Sequence, residues 1–188
     1  KMANNAFCEK TKWMHVQQPM NTISGLAFLG TAYMLKDVDE CFHLTWMLII
    51  LSIATTFMHA TGSNFWGKCD MASMFLCVTY SLLKNNGISE STCLSLSVLS
   101  FLMCFLSEEW VHLNTFISLA TLWILSYIPL LCYEVLIGYI VFLFSLIVWI
   151  KDRDNSWCSP HSLMQGHSLW DIGSAVGFYL LFKQTPKN

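Results

Sequence analysis

Residues 135–150 read VLIGYIVFLFSLIVWI, a run without a charged side chain that lies between Glu134 and Lys151. A helix needs about 20 mostly apolar residues to cross a bilayer, with a range of roughly 17–25. With a few flanking residues, this run is long enough to cross. An unpaired backbone amide in lipid costs several kcal/mol, so a helix is the spanning form to expect. The run therefore predicts a transmembrane helix.

The same pattern recurs along the chain. Charged side chains are absent from residues 13–35, 41–67, 71–83, 91–107 and 110–133, and Asp171 is the only one between residues 155 and 182. These gaps predict seven spans, at about residues 21–36, 43–61, 69–84, 91–107, 111–129, 132–150 and 163–182. The prediction is an all-α, polytopic membrane protein, in which residues 1–188 form a single seven-transmembrane-helix bundle.

Composition agrees with this class. Hydrophobic residues make up 55% of the 188 residues and charged residues 12%, about half the charged fraction of a typical soluble domain. The net charge is −2, and no basic run is present, so we expect no nucleic-acid partner. No n-region, h-region and cleavage site are recognised, so no signal peptide is predicted. Composition does not indicate an oligomeric state.

Seven spans place the two termini on opposite sides of the membrane, and we call the N-terminal side side A. Lys and Arg number six on side A and four on side B, a difference too small to set the orientation. Cys8 and Cys158 both lie outside the predicted spans on side A, which predicts a disulfide between them. Because disulfides persist in oxidising compartments, side A is predicted to be lumenal or periplasmic and the C-terminus cytoplasmic.

Ionisable groups at membrane depth are costly and usually mark a functional site. His59 ends the second predicted span, Asp70 opens the third, and His167 and Asp171 begin the seventh. The topology sends all of them to side A. His167 and Asp171 are four residues apart and so project from one helix face, as do Thr55 and His59.

Two imidazoles and a carboxylate at one end of a bundle predict a three-ligand zinc site with an open fourth position. Spacing alone leaves alternatives open. Asp70 can instead cap the third helix, since acidic groups are favoured near a helix N-terminus. Three other side chains on side A compete as ligands: Glu108, Glu109 and His112. Isolated histidines are interpreted as interfacial hydrogen-bonding groups: His15, His43, His112 and His161.

Four patches carry a family resemblance. They are FCE at 7–9 with QPMNTIS at 18–24, TTFMH at 55–59 with Asp70 eleven residues later, CSPHS at 158–162, and QGHSLW at 165–170. Together they resemble the alkaline ceramidase family, within a superfamily of seven-helix membrane hydrolases that includes adiponectin-type receptors and GPI-remodelling factors. The patches extend over nearly the whole chain in the family's order.

The resemblance implies a Zn²⁺ cofactor held by three histidines, one from the second helix and two from the seventh. His59 and His167 match two of them, whereas Asp171 stands where the family has the third. Two histidines and one acidic residue form a known catalytic zinc set. The extra negative charge is expected to weaken the ion as a Lewis acid. The family's calcium-binding N-terminal residues are matched only by Glu9, so no calcium site is predicted.

The resemblance also implies roles for Asp70 and Thr55. Asp70 would be the general base, and Thr55, where the family has Ser, would donate a hydrogen bond to the developing oxyanion. The implied partner is a ceramide-like membrane lipid, cleaved at its amide to a fatty acid and a long-chain base. Two alternatives stay open. One is a lipid-ester hydrolase of the GPI-remodelling type; the other is a non-catalytic lipid-binding or receptor-like protein, favoured if Asp171 abolishes zinc binding.

Overall fold

The computed structural model describes residues 8–10, 13–38, 41–107, 109–128, 132–154, 156–157, 160–162 and 164–184, and only the backbone of residues 109–114. Within these ranges the chain is helical, with no β-strand, which confirms the all-α prediction. The helices are α1 (Pro19–Ser24), α2 (Leu26–Leu35), α3 (Phe42–Thr61), α4 (Asn64–Asn85), α5 (Glu90–Leu106), α6 (Glu109–Ser126), α7 (Tyr133–Arg153) and α8 (Gly166–Phe182).

The first predicted span corresponds to two helices, α1 and α2, that meet at Gly25. Gly25 keeps a helical backbone, with φ −56° and ψ −24°. A Cβ added there would lie 3.0 Å from Thr56 Oγ1 on α3, so Gly25 lets the α1–α2 junction approach α3 closely. Ser52 Oγ donates a 2.9 Å hydrogen bond to the Gly25 carbonyl. This junction places α1 beside the C-terminal half of α3.

The helix that contains the third predicted span begins before residue 69. Gly62 ends α3 in the left-handed conformation (φ 64°), with its N–H bonded to the Met58 carbonyl at 2.8 Å, and α4 already begins at Asn64. Asp70 therefore lies in the second turn of α4. The alternative that it caps this helix is wrong.

Among the described residues, two helices are long and apolar enough to cross a membrane, judged by length and composition. They are α3, with 20 residues and a mean hydropathy of 1.5, and α7, with 21 residues and a mean hydropathy of 2.2. The α5 helix and residues Thr115–Ser126 are apolar but shorter. The 22-residue α4 is long enough but contains Lys68, Asp70 and Lys84. The seven-span topology stays a prediction.

The outer surface carries large apolar side chains in helical register. On α7, one exposed stripe consists of Leu136, Ile140, Leu143, Phe144 and Ile147. Contiguous apolar surface of this kind is typical of contact with lipid or with another protein.

Aromatic side chains and close contacts at glycines pack the helices together in the interior. Trp123 of α6 has its ring centroid 5.3–5.7 Å from those of Phe142 on α7 and Phe178 and Phe182 on α8. A Cβ at Gly173 would fall on Ser145 Oγ, and one at Gly177 would lie 3.1 Å from Phe142 Cβ. The backbones of α7 and α8 therefore approach each other as closely as residues without side chains allow, which fixes where α8 lies.

At the opposite end from the candidate site, Glu90 joins three helices. Its carboxylate accepts hydrogen bonds from Lys84 Nζ, at 2.5 Å, and from the Tyr80 hydroxyl, both on α4. His43 Nε2 on α3 lies 3.4 Å from Glu90 Oε1. These contacts hold the ends of α3, α4 and α5 together.

Candidate metal centre

Two functional side chains come from the last turns of α3. Thr55 and His59 are one helical turn apart, and both are buried, with 2% and 1% exposure. The short turn after Gly62 returns the chain as α4 and brings Asp70 beside Thr55. Thr55 Oγ1 donates a short hydrogen bond to Asp70 Oδ1, so the two predicted catalytic residues are in direct contact.

The first turns of α8 supply the other two predicted ligands, His167 and Asp171. The candidate donor atoms of His59, His167 and Asp171 all lie within 4.8 Å of one another. The two imidazole ring centroids are 4.6 Å apart, and His167 Nε2 lies 3.7 Å from Asp171 Oδ1. The fold thus brings together the three predicted metal ligands from two helices that are more than 100 residues apart in sequence.

These three residues fit a zinc ion. Bonds of about 2.0–2.2 Å in a tetrahedral site put ligand atoms roughly 3.3–3.6 Å apart, so the 3.7 Å separation matches and the widest pair has to close by about 1 Å. His59, His167 and Asp171 are 1%, 5% and 2% exposed. Buried ionisable groups are normally paired or coordinate metals, and nitrogen–nitrogen–oxygen donors suit Zn²⁺.

Two residues of the α1 segment contact the ligands. Gln18 Oε1 lies 2.6 Å from His59 Nδ1, and Ser24 Oγ donates a 2.7 Å hydrogen bond to Asp171 Oδ2. The sequence alone assigns neither residue a role at the site. The only signal was that both belong to the QPMNTIS patch at residues 18–24.

Thr55 lies one helical turn from the predicted ligand His59 and bonds to Asp70. We call the Thr55–Asp70 pair and the three predicted ligands together the polar cluster. The Thr55 hydroxyl is directed at Asp70, and its predicted donation to an oxyanion stays a prediction.

The other side chains considered for the site lie elsewhere or outside the described part of the chain. His15 and His161 are exposed, and His43 contacts Glu90 at the far end. Glu108 lies outside the described residues, and the side chains of Glu109 and His112 lie outside them too. Among the side chains that the structure describes, His59, His167 and Asp171 are the group that could hold a metal ion.

The N-terminal segment crosses beside this site. Glu9 is buried, and its two carboxylate oxygens accept hydrogen bonds from the N–H groups of Met20 (3.0 Å) and Asn21 (3.1 Å) in the first turn of α1. Burial raises the pKa of Glu9 above its ordinary value, and the two N–H donors oppose that shift. The Lys10 N–H donates to the Pro160 carbonyl at 3.0 Å, which joins this segment to the loop before α8.

The cysteines bear on the predicted disulfide. Six of them are free: Cys41, Cys69, Cys77, Cys93, Cys104 and Cys132. Cys8 is buried and disulfide-bonded. Its predicted partner, Cys158, lies outside the described residues, so the Cys8–Cys158 pairing stays a prediction.

No protein-family model matches this chain, and no curated protein matches it significantly.

Proposed function

We propose that this chain is an integral-membrane, zinc-dependent hydrolase that cleaves the amide bond of ceramide or of a related N-acyl lipid. The observation that carries the proposal is the buried group of His59, His167 and Asp171, with donor atoms within 4.8 Å of one another. The three ligands would leave a fourth position for the reaction, as catalytic zinc sites do. A zinc ion held there would supply Lewis acidity, which polarises a carbonyl and makes water acidic enough to react near neutral pH.

Asp70 is the proton-transfer group in this proposal. Amide hydrolysis consumes one water: its oxygen bonds to the acyl carbon, the C–N bond breaks, and the amine leaves with a proton. Asp70 takes a proton from the attacking water and delivers it to the leaving nitrogen, a role worth typically 10²–10⁴ in rate.

Thr55 adjoins both Asp70 and the ligand His59. Its hydroxyl donates to Asp70 in the structure and would turn toward the carbonyl oxygen as negative charge develops there. A donor of this kind contributes roughly 10²–10³ in rate.

The lipid substrate is supported by the surroundings of the site. The polar cluster lies at one end of a helical bundle whose outer faces are apolar. A substrate with long alkyl chains would occupy such apolar surface, while its polar amide reaches the cluster.

The test is to purify the protein, quantify bound metals, and incubate it with ceramides, phospholipids and a glycolipid ester. We expect about one zinc per chain and release of fatty acid from ceramide. His59→Ala should remove the zinc and the activity while the helix content stays unchanged. Release only from ester lipids would replace the amidase by the lipid-ester hydrolase.

Two other results would overturn the hydrolase. A folded protein without metal would favour the non-catalytic, lipid-binding alternative. Stoichiometric iron would also contradict it, because two histidines and a carboxylate are also the ligand set of non-haem iron oxygenases.

A further inference from the structure

We propose that Gln18, which precedes α1, and Ser24, its last residue, position two of the predicted metal ligands by hydrogen bonds. Gln18 determines which nitrogen His59 presents, and Ser24 leaves Asp171 one carboxylate oxygen for the ion. This inference rests on the proposed metal site and adds two positioning residues to it.

Gln18 determines the tautomer of His59. A side-chain amide oxygen can only accept a hydrogen bond, so the 2.6 Å contact between Gln18 Oε1 and His59 Nδ1 requires a proton on Nδ1. The lone pair of the neutral ring is then on Nε2, which becomes the ligand atom. Asn21 Nδ2 lies 3.5 Å from the same Gln18 oxygen, which agrees with its being the acceptor end of the amide.

The backbone fixes Gln18 in this position. The Gln18 N–H donates to the carbonyl of His59 itself at 3.2 Å, and the Gln17 N–H donates to the Ala60 carbonyl at 3.0 Å. These two bonds use carbonyls at the C-terminal end of α3 that have no partner within the helix. The main chain and side chain of Gln18 therefore both contact His59.

Ser24 acts on the carboxylate. Its hydroxyl lies at the end of α1, 2.7 Å from Asp171 Oδ2 and 2.9 Å from the Asn21 carbonyl. The single proton of the hydroxyl goes to the carboxylate oxygen, which is nearer and is the stronger acceptor when charged, while Asp171 Oδ1 faces His167 Nε2 at 3.7 Å. With one oxygen engaged, Asp171 has one oxygen left for a metal and would bind it through that single atom. A metal-bound histidine at this position would present an N–H donor to Ser24, so the direction of this hydrogen bond is specific to the aspartate.

Gln18 precedes and Ser24 ends the same short helix, α1, and the start of this helix is held by a residue outside the site. Glu9 accepts the Met20 and Asn21 N–H groups at the start of α1, so Gln18 and Ser24 are positioned by the same fixed turn. Partners of metal ligands typically affect metal affinity by about 10–100-fold.

The test uses the purified protein loaded with Co²⁺, whose visible absorption reports the ligand set. Ser24→Ala and Gln18→Leu should each weaken Co²⁺ binding by about 10–100-fold, measured by competition with a chelator. Ser24→Ala should also change the absorption spectrum, because the second Asp171 oxygen becomes available to the ion. Ser24→Thr and Gln18→Glu, which keep the hydroxyl and the acceptor oxygen, should retain most of the affinity.

Ser97→Ala is the matched control, since it removes a buried serine hydroxyl on α5 that bonds to the Cys93 carbonyl and touches neither α1 nor a predicted ligand. Its Co²⁺ affinity should equal that of the wild type. If folded Ser24→Ala and Gln18→Leu keep the wild-type Co²⁺ affinity and spectrum, the positioning roles of Gln18 and Ser24 are overturned while the metal site stands. Failure of the wild type itself to bind Co²⁺ or Zn²⁺ would overturn both.

Discussion

The site has two carboxylates, the half-buried Asp70 and the buried Asp171. Their hydrogen-bond partners differ, and we expect their roles to differ too. Asp70 accepts from Thr55, whereas Asp171 accepts from Ser24 and faces His167. We expect Asp70→Asn to keep the metal and lower turnover by about 10²–10⁴, because an amide cannot accept the proton of water. Asp171→Asn should instead lose metal affinity. Metal content and lipid hydrolysis measured on the two variants decide this, and metal loss in Asp70→Asn would make Asp70 a ligand.

Thr55 allows a graded test of the hydroxyl. Thr55→Ser keeps the donor and should remain active, whereas Thr55→Val has nearly the same shape without it. We expect Thr55→Val to lose roughly 10²–10³ in kcat with unchanged metal content. Equal activity of the two variants would remove the hydroxyl from the chemistry.

Glu9 predicts a pH dependence of stability. Its pKa is raised in the folded state above the ordinary 4.5, so between these two values the folded chain binds more protons than the unfolded chain. The contribution of Glu9 to the free energy of unfolding is therefore full below pH 4.5 and is lost as the pH rises through the raised pKa. Melting temperatures in detergent should show the wild type losing stability relative to Glu9→Gln over this window. A pH-independent difference would contradict the assignment.

At this scale the sequence predicted that His59, His167 and Asp171 lie together, which the structure confirms, but it did not predict their hydrogen-bond partners. The i to i+4 spacing of His167 and Asp171, and the charge-free runs around His59, were enough to place them at one end of the bundle. Gln18 contacts a residue 41 positions away. Such a contact depends on how α1 packs against α3, and no local sequence pattern predicts that packing.

At the scale of elements, the glycines of α8 determine how closely it packs on α7. A Cβ at Gly173 would lie 1.8 Å from Ser145 Oγ and 3.0 Å from Ser145 Cβ, so the side chain of Gly173→Val would overlap Ser145 on α7. We expect a loss of about 1–3 kcal/mol or more in the free energy of unfolding, together with weaker metal binding, because His167 and Asp171 lie on the same helix.

Gly30→Val on α2 is the matched control, since nothing lies within 4 Å of a Cβ there, and its melting temperature should stay near that of the wild type. Adding Ser145→Gly to Gly173→Val should restore part of the loss. An unaffected single Gly173→Val variant would show that the two helices separate easily.

Element boundaries show where sequence patterns are sufficient. Gly62 follows the last residue of α3, and the predicted end at residue 61 is correct, because glycine at this position adopts the left-handed conformation. The start of α4 was predicted too late, since charge-free length was used as the criterion and Lys68 lies inside the helix. Helix formation there does not require apolar residues, so the charge pattern could not locate it.

At the scale of the whole molecule, the prediction concerns the Cys8–Cys158 disulfide and the orientation it implies. Non-reducing peptide mapping of native membranes should recover the two cysteines as one linked pair, with side A lumenal or periplasmic. Closing a loop of this length constrains the unfolded chain by about 4–5 kcal/mol in the entropic description, so reductant should lower the melting temperature. Recovery of both cysteines as alkylated thiols would refute the pairing and remove the argument for the orientation.

The all-α architecture was predictable from the sequence because long apolar runs leave few other folds. The number of membrane crossings was not determined in the same way. In the part of the chain that the structure describes, α3 and α7 alone combine length with high hydropathy, whereas α4 contains charged residues such as Asp70 and Lys84. Site-directed labelling of the loops from each side of the membrane would count the crossings directly.

The contact between α7 and α8 also limits how a lipid could reach the polar cluster. A gap that admits an alkyl chain has to be wider than a methyl group, yet a Cβ at Gly173 would overlap Ser145 Oγ and one at Gly177 would lie 3.1 Å from Phe142 Cβ. α7 and α8 are therefore in close contact at these two positions and leave no opening for a lipid chain there. The proposed lipid substrate would have to enter between other helices, and its alkyl chains would bind away from the contact between α7 and α8.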